Sequence, residues 1–201
     1  MKIVKQSYEI LHMDSIDRIE TAGRTCYKSK KRDTNGTNGT NMFVKGLIKR
    51  GHEAMIEHAN ATVRFITNRG VTHELVRHRL CAFGQESTRY VSYYGDDIRF
   101  IEPVWGTDTV WINAMIVAER YYKALVHNGW RLEQAREVLP NSLKTEIVVT
   151  ANFREWRHIF KLRALGTTGR PHPQMKALML PVLLDFAERE PAAFGDLLEE
   201  E

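Results

Sequence analysis

Residues 61–79 read Ala-Thr-Val-Arg-Phe-Ile-Thr-Asn-Arg-Gly-Val-Thr-His-Glu-Leu-Val-Arg-His-Arg, and the spacing of apolar positions changes within them. From Ala61 to Thr67 the residues alternate, with Val63 and Phe65 set against Thr62, Arg64 and Ile66, the period of a half-buried strand. Asn68-Arg69-Gly70 predicts a turn. Val71 to Arg79 then predicts a helix that carries Arg77, His78 and Arg79 at its end. Working outward, residues 2–10 predict an opening strand, and Ser15 to Tyr27 a helix that Asp14 or Ser15 can cap. Met42 to Arg50 predicts a second helix, which Gly51 is placed to end. Tyr90 to Tyr94 and Ile98 to Glu102 read as short extended pieces. Val110 to His127, with Ile112, Met115, Ile116, Ala118, Tyr121 and Leu125 on its stripe, and Arg131 to Leu139 predict a packed helix pair. Thr145 to Thr150 is β-branched enough for a strand, and Asn152 can cap a helix running to about Arg163. Gln174 to Glu188, kinked or broken at Pro181, and Pro191 to Glu199 are helical by spacing. The sum is an α+β fold, helix-rich, around a mixed or antiparallel sheet.

At 201 residues and 43% hydrophobic content the chain suits one domain spanning 1–201 with a real core. The formal charge of +4, from 29 basic and 25 acidic residues, permits a polyanionic partner without demanding one. The densest basic run, Lys28 to Arg32, leads into an Asn-Gly-Thr repeat over 34–41, which reads as a solvated, flexible loop. Cys26 and Cys81 form no disulfide framework, and no apolar h-region follows the N-terminal charges. A cytoplasmic protein with free thiols is the expectation, without a membrane span.

Arg77-His78-Arg79, seven residues, Ser87 and then Arg89 is the densest chemistry in the chain. Such a cluster calls for an anion, and Leu75 and Val76 directly before it place it against a folded wall. Four readings compete. A zinc helix fails, because His73 and His78 are five residues apart and so about 140° around a helix from each other, whereas ligation from one face needs i+4; no metal site is expected. A nucleic-acid or nucleotide binder, gripping phosphates with Arg77, Arg79 and Arg89 and stacking bases on Tyr90, Tyr93 and Tyr94, is physically sensible. It leaves Arg136, Arg154 and Arg163 unexplained, since a long polyanion needs a continuous stripe. Cys81 with His78 could form a nucleophilic pair, although a cysteine beside Leu80 and Ala82 is more often packing. A small anionic ligand in a pocket accounts for the later arginines best. No glycine-rich phosphate loop is present.

The same stretch resembles the signature of the flavin-dependent thymidylate synthases. Gly51-His52-Glu53 with Glu57-His58 resembles that family's histidine segment, and Ala135-Arg136 before Leu139-Pro140 its mid-chain arginine. Asn152-Phe153-Arg154, Leu162-Arg163 and His172 with Gln174 resemble the later part of its site, so that the resemblance covers residues 1–190 in order. It implies reductive methylation of dUMP to dTMP, with 5,10-methylenetetrahydrofolate as carbon donor, NADPH as reductant and FAD as hydride carrier. It also implies a homotetramer with sites shared between subunits and no nucleic-acid partner. On the dUMP side it implies Glu74, Arg77, Gln85, Glu86, Ser87 and Thr88, with Arg89 and Arg136 as phosphate anchors and Arg163 as the catalytic cation. On the FAD side it implies His52, Ala54 and Glu57 at the mouth, then Arg77, His78, Arg79 and Gln85, and later Asn152, Arg154 and His158. The chain departs from the family at Ala54, where Thr or Ser is common, at Glu74 and Gln85, which replace Gln and Glu, at His158 in place of Asn, and in a longer loop before His172. Ser87 reads as a ligand-binding hydroxyl, because no base is placed to activate it.

Overall fold

The computed structural model describes residues 1–30 and 38–199. In chain order these form β1 (Lys2–Val4), β2 (Ser7–Met13), α1 (Asp17–Tyr27), α2 (Asn38–Lys49), β3 (Asn60–Asn68), α3 (Arg69–Leu75), β4 (Ala82–Gln85), β5 (Arg99–Ile101), α4 (Thr109–His127), α5 (Leu132–Ala135), β6 (Lys144–Asn152), α6 (Phe153–Phe160), α7 (Pro173–Arg189) and α8 (Pro191–Phe194). The fold is α+β. A sheet of order β2-β3-β6-β4 is accompanied by a two-stranded parallel pair in which Lys2, Ile3 and Val4 face Arg99, Phe100 and Ile101. Thr62 meets Thr150 while Arg69 meets Leu143, so β3 and β6 run antiparallel. In β3 the residues Ala61, Val63, Phe65 and Thr67 are buried, and in β6 Thr145, Ile147, Val149 and Ala151, as a period of two requires.

The described residues fall into two compact units. The first comprises residues 1–8, 64–77 and 83–148. Its core is Ile98, Phe100, Met115, Tyr122, Ala135 and Leu143, with Trp111, Ala118 and Leu125 packed against it. Asp108 caps α4 by accepting from the Trp111 N–H at 2.7 Å. Ile116 and Tyr121, expected on the inner stripe of α4, are exposed instead. Val110, Val117 and Tyr121, at spacings of seven and four, form a second apolar face on the same helix.

The second unit comprises residues 9–63, 78–82 and 149–201, described as far as Glu199. Its centre is aromatic. Trp156 stacks on Phe160 at 5.6 Å and meets Phe186 at 5.3 Å, and Phe194 meets Phe186 at 5.1 Å and Phe153 at 4.9 Å, all five rings being fully buried. Arg157 is buried beside them and binds Asp196 through two guanidinium nitrogens at 2.6 Å each, and the Ala193 carbonyl with a third bond. α7 runs through Pro181 without a break, held by Met175, Leu178, Met179, Val182, Leu183 and Phe186, all buried, which outweigh the lost backbone bond.

Several expectations are corrected. The loop expected over 34–41 is helical from Asn38 onward, and residues 34–37 lie outside the described residues. Asn68-Arg69-Gly70 is a helix start, with the Asn68 carboxamide accepting from the Val71 N–H at 2.8 Å. α3 ends at Leu75, so the cationic triplet follows the helix in a turn closed by the Cys81 N–H on the His78 carbonyl at 3.2 Å. Tyr90 to Tyr94 is not extended, because the N–H groups of Tyr90 and Val91 both bond the Ser87 carbonyl. The helix expected over Arg131 to Leu139 is a short α-turn followed by a 3₁₀ turn over Arg136–Val138. Gly51 ends α2 as expected, with φ +72°.

Candidate active site

The sequence residues sort by unit. Glu74, Arg77, Gln85, Glu86, Ser87, Thr88, Arg89 and Arg136 lie in the first unit, and His52, Ala54, Glu57, His78, Arg79, Asn152, Arg154, His158 and Arg163 in the second.

In the first unit β4 delivers Gln85, whose amide donates to Thr72 Oγ1 at 3.0 Å and Thr145 Oγ1 at 3.3 Å. The Glu86 carboxylate accepts from the Tyr93 hydroxyl at 2.5 Å and from Lys144 Nζ at 3.1 Å, and its carbonyl accepts from Arg69 Nη2 at 2.9 Å. Burial and the Glu86 carboxylate both push the Tyr93 phenol above its ordinary value. These bonds pin both sides of Glu86 and so fix the start of the Ser87–Arg89 turn, where Ser87 Oγ accepts from the Arg89 N–H at 3.2 Å. Thr88 is buried, and its hydroxyl accepts from Arg136 Nη1 at 3.3 Å. Arg89 stands 3.8 Å from Glu133 and Arg136 3.9 Å from Glu137, both longer than a charge-assisted hydrogen bond. Two half-exposed guanidinium groups held by such loose contacts, beside a serine hydroxyl, suit an incoming phosphate. Neither Arg69 nor Lys144 is singled out by the sequence as a site residue, and Tyr93 is read there only as a ring on which bases could stack. A lysine opening a β-branched strand was the one signal available for Lys144.

In the second unit Asn152 closes β6 and caps α6, its Oδ1 accepting from the Glu155 N–H at 2.9 Å. That bond sets Glu155 in the first turn, where its carboxylate meets His78 Nδ1 at 3.4 Å. Arg163 Nε donates to His78 Nε2 at 3.1 Å, and His158 stands edge-on to the His78 ring at 5.6 Å. Arg77 and Arg79 on either side of His78 are exposed. A cavity of about 520 Å³ is lined by Glu53, Glu57, Leu80, Asn152, Arg154, Glu155, Arg157, His158 and Lys161. Its size lies in the range of small-molecule sites. Arg154 pairs there with Glu57 at 2.6 Å and Glu53 at 3.2 Å. These groups are half-exposed, so exchanging the carboxylates for a phosphate costs little. The cations Arg154 and Lys161, with the Asn152 carboxamide, therefore fit the phosphate-bearing part of a flavin dinucleotide. His52 and Ala54 are exposed around the turn that carries Glu57.

Arg163 sits on a π-helical turn, Lys161–Leu165, that continues α6. The turn is closed by the Gly166 N–H on the Lys161 carbonyl at 2.8 Å. Gly166 has φ +77°, and a Cβ there would stand 2.7 Å from Pro171 Cδ and 3.0 Å from the Gly169 carbonyl. Gly166→Ala is expected to destabilise the second unit by about 1–3 kcal/mol and to loosen Arg163 with it. Urea denaturation checks the first effect, and a lowered turnover in the folded variant the second.

Burial first, and then the charges of Arg163 and His158, push the His78 imidazole down from 6.5 to about 4. The unfolded chain takes up this proton near pH 6.5 and the folded chain near pH 4, so the associated stability is complete above pH 6.5 and is lost as pH falls towards 4. A displacement of this size corresponds to about 3 kcal/mol. Glu155, whose carboxyl burial pushes up, titrates in the opposite sense and offsets part of it. Denaturation midpoints measured across this window are expected to fall steadily with acid, and His78→Gln to flatten the slope. Burial raises the Cys81 thiol to about 12, which disfavours the thiolate that a nucleophilic pair with His78 would need.

The family described as thymidylate synthase complementing protein matches residues 10–192. A flavin-dependent thymidylate synthase of Geobacter sulfurreducens is 34% identical over 188 residues, covering 89% of this chain and 80% of that protein. That of Mycobacterium leprae is 33% identical over 202 residues, covering 89% and 78%. Among solved structures, a UMP/dUMP methylase, PolB, from Streptomyces cacaoi, bound with 5-Br dUMP, superposes with a TM-score of 0.82 at 20% identity, covering 97% of this chain and 96% of that one. With the family match spanning most of its length, the chain belongs to the flavin-dependent thymidylate synthase family of enzymes.

Proposed function

We propose that the chain converts dUMP to dTMP by reductive methylation, with 5,10-methylenetetrahydrofolate as carbon donor, FAD as hydride carrier and NADPH as reductant. The observation that carries this reading is the family match over residues 10–192, which includes the whole Arg77 to Arg89 segment. A nucleoside monophosphate brings a charge of about −2. Arg89 and Arg136 neutralise it, Ser87 and Thr88 supply hydroxyls, and the bonds that pin Glu86 hold the turn in place before the ligand arrives. Reduction of the uracil places negative charge on its carbonyl and ring nitrogen, and Arg163 is the fixed cation that stabilises it more in the transition state than in the substrate. Bound FAD supplies the redox chemistry, which accounts for a site without a reactive cysteine. Arg154, Lys161 and Asn152 bind its phosphate-bearing part, with His158 and Glu57 lining the same cavity.

The active form is a homotetramer. The exposed Val110, Val117 and Tyr121 face of α4 supports a self-association surface, since isolated soluble helices seldom present such a stripe to water. Purified protein is expected to be yellow, to scatter light as four copies of the 23.3 kDa chain, and to form dTMP only when dUMP, the folate and NADPH are all supplied. Colourless protein that shifts DNA on a gel and ignores dUMP would overturn the reading.

A further inference from the structure

Each of the two arginines proposed to anchor the nucleotide phosphate carries a carboxylate at the same atom. Glu133 stands 3.8 Å from Arg89 Nε, and Glu137 stands 3.9 Å from Arg136 Nε. Both distances are too long for a charge-assisted hydrogen bond, so the carboxylates do little to hold the guanidinium groups in place. Other contacts do that: Arg136 Nη1 donates to Thr88 Oγ1 at 3.3 Å, and the Arg89 guanidinium lies 5.4 Å from the centre of the Tyr90 ring. What a carboxylate does at such a range is set the local charge. A third guanidinium, that of Arg131, stands 3.9 Å from the other oxygen of Glu133. The patch, which lies wholly within the first unit, therefore sets three guanidinium groups against two carboxylates, a sum of +1. A nucleoside monophosphate, at about −2, brings that sum to about −1, and a diphosphate, with about one charge more, brings it to about −2. The first phosphate meets arginines, and the second meets a patch whose cations are already neutralised and whose two acids are not.

We propose that Glu133 and Glu137 are specificity-determining residues that limit the charge of the ligand, so that the site admits a nucleoside 5′-monophosphate and rejects the di- and triphosphates of the same nucleoside. The inference rests on the reading of Arg89 and Arg136 as phosphate anchors, and it deepens that reading by naming the ligands that are excluded. A site that had only to hold dUMP tightly would do better with neutral residues at 133 and 137. Arginines alone bind a ligand more strongly with every phosphate it adds, so discrimination against the longer ligands needs a repulsive element.

The test is calorimetric titration of the purified full-length protein with dUMP and with deoxyuridine 5′-diphosphate at about 50 mM salt. The wild type is expected to prefer dUMP by about tenfold or more. Glu133→Gln and Glu137→Gln are each expected to narrow that preference by about threefold or more through tighter binding of the diphosphate, and to bind dUMP at least as tightly as the wild type does. Glu133→Asp, which keeps the charge, is expected to keep the preference. Raising the salt to about 0.5 M shortens the range of these charges and is expected to shrink both the preference of the wild type and its difference from the two glutamine variants. A preference unchanged in the two glutamine variants would overturn the proposal, leaving Glu133 an acid in the first turn of α5. Weaker dUMP binding in them would overturn it as well, since the carboxylates would then be holding the arginines in place. Wild-type protein that binds the mono- and the diphosphate alike overturns this inference alone. Wild-type protein that binds neither overturns the proposed function and this inference with it.

Discussion

Arg163→Ala is expected to lower kcat for dTMP formation by about 10²–10³-fold or more while the protein stays yellow. The two outcomes separate because the role proposed for the side chain is in the reaction and not in cofactor binding. Its Nε donates to His78, and Arg163 is not among the residues lining the cavity proposed for the flavin phosphates, which include Arg154, Lys161 and Asn152. Truncation therefore removes the charge proposed to act on the reacting ring and leaves the proposed cofactor contacts in place. Arg163→Lys keeps the charge but lacks the planar fork whose Nε donates to His78, and is expected to recover only a small part of the rate. Single-turnover oxidation of reduced enzyme with dUMP and the folate, read against flavin absorbance, measures both effects in one sample. Retention of wild-type turnover in Arg163→Ala would remove the residue from the reaction.

Trp156→Ala is expected to cost about 3–5 kcal/mol. The indole is fully buried, stacks on Phe160, meets Phe186 and donates its Nε1–H to the Ala61 carbonyl at 3.1 Å. Its removal leaves a cavity among aromatic rings that are already locked against Phe194, so little can collapse into it. The Ala61 carbonyl also loses its side-chain donor. Urea denaturation followed by far-UV circular dichroism reads the loss. Trp156→Phe, which keeps most of the volume, is expected to be much milder.

The parts of the fold that could be read from residues are those where one face meets a core and the other does not. β3 and β6 alternate because each buries every second residue, and Asn152 announces a helix because its short carboxamide can reach the Glu155 N–H. The errors have a common cause in contacts made far along the chain. The triplet was assigned to a helix because Val71 to Val76 is helical by spacing. The chain has to turn before β4 begins at Ala82, and the helix gives way at Leu75. Tyr90 to Tyr94 looks like a strand by its aromatic content, but Tyr93 is there for Glu86. In α4 two apolar faces share one helix, and spacing alone gives no rule for choosing the one that packs on Phe100 and Leu143. The site residues were legible as types, arginines and a serine near an anion. Their supporting partners, Lys144, Tyr93, Glu155 and Arg69, come from four different elements or turns, and no local pattern joins them.

The π turn at Lys161–Leu165 sets a length rule for this part of the chain. An α-helix of the same sequence would advance about 100° per residue with no slack, so deleting one residue here would regularise the helix and swing Arg163 about a quarter of a turn away from His78. Such a deletion would leave a straighter helix and a misdirected guanidinium. In a library of single-residue deletions along α6 and α7, this turn is where folded protein and working protein part company.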